Sequence, residues 1–172
     1  MVRLFVFVRV ISWIVRVISC RLVDQFSTDG VQLEMNKYYE QYSEIEAVVK
    51  GFESCSTPKD DFSHLKHLTV AVFYLYDSNE REATERMRAG LLRFLNHHGV
   101  GEAKFHETLT VFWIKILRAF MVQLAPSTPL LEMTNLSLEH FSNSRLVLEY
   151  YDEKRLFSDE ARQGWIAPDR II

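Results

Sequence analysis

From Met35 to about Leu156, apolar residues return every three or four positions and breakers are few, which commits the chain to helices packed side by side. Asn36 to Gly51 carries Tyr38, Tyr39, Tyr42, Ile45, Val48 and Val49 at helical spacing, with Gly51 as its terminator. A polar break from Cys55 to Lys59 contains Pro58. Asp60 or Asp61 then caps a strongly apolar helix from Phe62 to Tyr76, although Val70, Val72 and Phe73 also favour strand. Ser78 or Asn79 caps a third helix, Glu80 to His97, which ends at Gly99. Its i,i+4 pairs are Arg81/Glu85 and Glu82/Arg86, and its apolar stripe is Ala83, Met87, Leu91, Phe94 and Leu95. The fourth helix, Glu102 to Leu124, is apolar on most of its circumference and is the expected centre of the fold. Pro126 and Pro129 stop it, Ser127 or Thr128 starts a helix over Leu130 to Phe141, and Arg145 to Leu156 is a shorter sixth. Ser158-Asp159-Glu160 is one more capping sequence, and the tail from Trp165 to Pro168 is expected to pack back on the body. The sequence therefore predicts an all-α, single-domain bundle of about five to six helices over residues 35–172.

Residues 1–34 stand apart. Arg3, Arg9, Arg16 and Arg21 precede the first carboxylate, Asp24, and Val8-Arg9-Val10-Ile11-Ser12 recurs as Val15-Arg16-Val17-Ile18-Ser19. Arg9 and Arg16 cut the apolar stretch into runs far shorter than the roughly 18 residues a membrane span needs, so no transmembrane helix is expected. An unbroken apolar signal region is missing too, and the segment reads as a disordered leader or as sequence ahead of a true start at Met35. Beyond Arg21 the chain has 16 basic against 23 acidic residues, a net charge of -7, while the whole chain stands at -3. That balance excludes a basic nucleic-acid footprint. Cys20 and Cys55 show no ligand or redox spacing, which points to a reducing, cytoplasmic setting.

Phosphate-loop, dinucleotide, nucleophile-elbow and zinc-protease motifs are all missing, and Gly99 and Gly101 read as a helix end and a tight connection. Histidine is what remains. His64 and His67, three apart on the second helix, share a face, and Ala71 one turn on leaves space beside them. On the fourth helix Glu102, His106 and Thr110 fall on one stripe, with Glu107 beside His106. An up, down, up connection makes the second and fourth helices parallel and brings both histidine segments to one end of the bundle. There they can form a shared polar pocket. Three imidazoles, His64, His67 and His106, with water suit a divalent transition metal. The plainer alternative keeps these groups as caps and solvated side chains. His97 and His98 suit a helix C-terminus through its dipole, and His140 stands alone.

The segments Phe62-Ser63-His64-Leu65-Lys66-His67-Leu68, Phe105-His106-Glu107-Thr108-Leu109-Thr110 and Arg155-Leu156-Phe157-Ser158, with Trp165-Ile166-Ala167-Pro168-Asp169, resemble an uncharacterised family of small helical bacterial proteins. That family is marked by an aromatic-x-His-x-x-His-Leu segment followed by Tyr-His-Glu-Thr-x-Thr. The resemblance runs from about Asp60 to Asp169, excludes the leader and brings no established activity. It implies that His64, His67, His106, Glu107, Thr108 and Thr110 are the ligand-binding candidates. Phe105 stands where the family pattern has Tyr, so a hydroxyl is missing. Metal-dependent DinB-like bundles are a more distant analogy, since their His-x-x-x-His pair is absent.

Two classes of function follow. One is a ligand or metal pocket between the second and fourth helices, in which His or Glu107 acts as a general base if the protein is an enzyme. The other is a noncatalytic interaction or homo-oligomeric protein that uses an aromatic surface including Tyr38, Tyr39, Tyr150 and Tyr151.

Overall fold

A computed structural model describes residues 37–170. The leader at 1–34, together with the expectation that it is disordered or precedes the true start, lies outside the described residues. Five long helices carry the fold: α1 (Tyr42–Glu53), α2 (His64–Asp77), α3 (Glu80–His97), α4 (Glu107–Met121) and α5 (Leu130–Phe141). Three short ones follow: α6 (Val147–Tyr150), α7 (Glu153–Leu156) and α8 (Asp159–Gln163). The described residues contain no strand, and the eight helices exceed the five to six expected because the sixth breaks into α6 and α7 and the tail adds α8. None of these helices is long and apolar enough to cross a membrane.

The long helices start and stop where local chemistry directs. Asn79 caps α3 by accepting from the Glu82 N–H at 3.0 Å, and Gly99, at φ +65, lets the chain turn after it. Other boundaries move. Tyr38 and Tyr39 precede α1, held by Asn135 of α5, whose Oδ1 accepts from both N–H groups at 3.0 Å and whose Nδ2 donates to the Tyr39 carbonyl at 2.9 Å. Gly51 lies inside α1, and Cys55, a buried free thiol at φ 57, makes the left-handed turn instead. Ser63, not Asp60 or Asp61, caps α2, because those two acids sit in a separate turn at Lys59–Asp61. Of the two expected pairs on α3, Arg81–Glu85 forms at 2.8 Å. Arg86 turns away from Glu82, lies 3.9 Å over the Tyr74 ring and faces Glu53 at 3.8 Å.

Burial decides the layout. On α2 the five consecutive residues from Leu68 to Val72 are buried, so the helix is covered all round and packs against α1, α3, α4 and α5. The β-branched residues there, expected to compete for strand, instead fill a helix that tertiary contact surrounds. α4 packs against α2, α3, α5 and α8, and shares the central place with α2. An aromatic stack of Phe52, Phe62 and Phe94, with centroids 4.8 to 5.7 Å apart, joins α1, the loop before α2 and α3. Tyr150 and Tyr151 are 3% and 0% exposed and belong to the core, so the expected four-tyrosine contact surface does not exist. Their burial follows from the returning tail: the Tyr151 hydroxyl donates to the Ile166 carbonyl at 2.9 Å, and the Asp169 and Arg170 N–H groups donate to the Tyr150 carbonyl.

Candidate functional site

Between α2, α3 and α4 lies a cavity of about 430 Å³. Its floor is apolar: Leu68 and Ala71 from α2, Met87, Leu91 and Leu95 from α3, Leu109, Trp113 and Ile114 from α4. Leu91 and Leu95 were expected as plain core, and they are half-buried because they face this space. Val147 and Phe157 close one side, and Phe157 remains 49% exposed at the mouth. His64, His67, His106 and Thr110 all border the same cavity, as do Phe105, Lys104 and Ser144. His64 opens α2 and His106 caps α4, so both helix starts border one space.

The candidate residues nevertheless hold different posts. His64 Nε2 donates to the Phe141 carbonyl at 3.0 Å, and its ring lies 4.7 Å from that of Trp113. His67 Nδ1 donates to the Ser63 carbonyl at 2.9 Å, and its ring packs 4.1 Å from Phe62. Each leaves one nitrogen without a partner among the described residues. Burial lowers the basicity of both, that of His67 to about 4, against the smaller opposing effect of their carbonyl bonds. Both imidazoles are therefore neutral at pH 7.

His106 differs, because both of its nitrogens are engaged. Nδ1 accepts from the Leu109 N–H at 3.3 Å as the cap of α4, and Nε2 donates to the Leu156 carbonyl at 3.0 Å. This corrects the expected helix start: Glu102–Lys104 form a separate turn, and Glu102 bonds Asn96 at 3.0 Å, so Glu102 shares no stripe with His106 and Thr110. It also removes the third imidazole from the expected metal set. Among the described residues no group of three or more His, Cys, Asp or Glu side chains is placed to hold a metal ion.

Glu107 and Thr108 turn away from the cavity. The Glu107 carboxylate meets Arg88 of α3 in a two-pronged pair, Arg88 Nε donating at 2.9 Å and Arg88 Nη2 to the other oxygen, so it is not a free base. The fully buried Thr108 hydroxyl donates to the Gly164 carbonyl at 2.7 Å and accepts from the Ile166 N–H at 3.1 Å. The His-Glu-Thr run is thus largely a clamp, with His106 gripping Leu156 and Thr108 gripping the segment after α8. Its co-occurrence with the Leu156 and Ile166 segments is a matter of folding. Trp113, Leu91 and Phe157 form much of the site without appearing among the sequence candidates, because nothing local separates a cavity wall from core.

No known protein family, curated protein or solved structure matches this chain.

Proposed function

We propose that this protein binds a small, largely apolar molecule in the cavity between α2, α3 and α4, with His64, His67 and Thr110 fixing its orientation. One observation carries the reading: a volume of about 430 Å³, within the roughly 300 to 1,000 Å³ of ligand clefts, whose mostly apolar wall holds a few converging polar groups. The resemblance to a family of small helical bacterial proteins, and a reducing cytoplasmic setting, belong to the same proposal. Binding is favoured over acid–base catalysis. A base held near 4 is poorly matched to neutral pH, and Glu107 is tied to Arg88. The alternative of a homo-oligomer joined by exposed tyrosines loses Tyr150 and Tyr151 from its surface, because both are buried.

The test uses N-phenyl-1-naphthylamine, an uncharged probe that fluoresces in apolar surroundings. The full chain should give saturable enhancement at one probe per chain, and Leu91→Trp, which fills the cavity from α3, should abolish it while the protein still melts cooperatively. No saturable enhancement, or enhancement untouched by Leu91→Trp, overturns the reading.

A further inference from the structure

The chemistry of the ligand can be read from the cavity wall, on the proposal above that the cavity is a binding site. His64, His67 and Thr110 have each already committed a hydrogen to a main-chain carbonyl. His64 Nε2 faces the Phe141 oxygen and His67 Nδ1 the Ser63 oxygen, and because a carbonyl only accepts, these nitrogens carry the ring hydrogens. The Thr110 hydroxyl donates to the His106 carbonyl at 3.0 Å. What is left is acceptor capacity: the lone pairs of His64 Nδ1, His67 Nε2 and Thr110 Oγ1. Neither ring nitrogen is sealed off. Among the described residues the one buried side-chain nitrogen or oxygen lacking a partner is His98 Nε2, so His64 Nδ1 and His67 Nε2 keep access to open space, and both side chains border the cavity.

Donors in the wall are the Trp113 indole and, at the exposed rim, Lys104 and Ser144, and no carboxylate lines it. We infer that the ligand is a neutral, largely apolar molecule bearing a hydroxyl or N–H group, which donates to His64, His67 or Thr110 while its apolar part lies against Leu91, Leu109 and Trp113. A carboxylate in that place meets lone pairs, and protonating the imidazoles to receive it works against the burial that keeps them neutral. Lys104 is too exposed to rescue it, since solvent and salt screen its charge. A cationic amine satisfies the acceptors but buries a charge with no carboxylate beside it.

Three probes of one shape separate these cases by calorimetry on the full chain at pH 7: 2-naphthol, 2-methoxynaphthalene and 2-naphthoate. The naphthol should bind about fivefold tighter than its methyl ether, the worth of one neutral hydrogen bond, and the naphthoate weakest. In at least one of His64→Phe, His67→Phe and Thr110→Val the preference for naphthol over the ether should shrink. Histidine nitrogen NMR on the unmodified chain covers the case of a variant that fails to fold: His64 Nδ1 and His67 Nε2 should appear as unprotonated ring nitrogens, and at least one should shift when naphthol is added. Equal binding of naphthol and ether, or tightest binding of naphthoate, overturns the donor inference and leaves the pocket standing. Binding of none of the three overturns both.

Discussion

His106 shows how one side chain serves several contacts at once. Its two ring nitrogens cap α4 and hold the Leu156 carbonyl, and both bonds require the neutral tautomer with hydrogen on Nε2. His106→Ala should cost about 1 kcal/mol for the lost cap and about 1 to 3 kcal/mol for the orphaned carbonyl, read as a lower urea midpoint. His106→Asn should recover the cap share alone, which separates the two contributions. His67 makes a prediction in pH. Its folded value of about 4 lies below the 6.5 of an unfolded histidine, so the unfolded chain takes up a proton more readily as pH falls. Stability is therefore at its plateau above about 6.5, drops between 6.5 and about 4, and levels off below that as far as this group is concerned, with a total near 3 kcal/mol. Burial depresses His64 and His106 in the same direction, so the decisive comparison is between the wild type and His67→Gln, whose urea-derived stability should decline less steeply over that window. Parallel curves for the two proteins would refute the assignment.

Helix packing inverts an ordinary propensity rule at Gly90 in α3. Replacing a helical glycine by alanine normally gains about 1 kcal/mol, but a Cβ here would meet Phe52 ring carbons at 2.6 and 2.7 Å. Phe52 is fully buried and stacked 4.8 Å from Phe62, so it has nowhere to swing. Gly90→Ala should therefore destabilise by about 1 to 3 kcal/mol in a thermal melt. Gly51→Ala is the contrast, because its Cβ would meet the Thr57 hydroxyl at 2.4 Å, a side-chain tip that can rotate away, and it should be close to neutral or stabilising. The helices themselves were legible wherever their signals are local: the Asn79 cap, the Gly99 turn and the Arg81–Glu85 pair all lie within one or two turns of the element they define. The start of α4 was misplaced because His106 adopts an extended backbone at φ -138, held by a carbonyl 50 residues further along. No periodicity within the helix reports such a partner.

The whole molecule depends on its C-terminal return. The segment from α8 to Asp169 supplies the partners of the buried Thr108 and Tyr151 hydroxyls and buries Ala161 and Ile166. Deleting residues 158–172 orphans both hydroxyls at about 1 to 3 kcal/mol each and forfeits the burial of Ile166, worth about 1.5 to 3 kcal/mol. Against a typical total of about 5 to 15 kcal/mol, calorimetry should show the cooperative transition lost or shifted far down. A chain beginning at Met35 should keep its cooperative melt, because residues between Tyr38 and Ile166 already form one continuous core. Period, caps and breakers determined by themselves that the described residues are helical, how many long helices they form and that His64 and His67 open one of them, since each of those signals acts within a few residues. Which histidine nitrogens remain open, that Glu107 belongs to Arg88, that Tyr150 and Tyr151 are core and that Leu91 faces a cavity were decided by the tertiary structure alone. Each depends on a partner brought from a distant part of the chain, and the burial that sets hydrogen-bond roles and basicity exists only once the helices have packed.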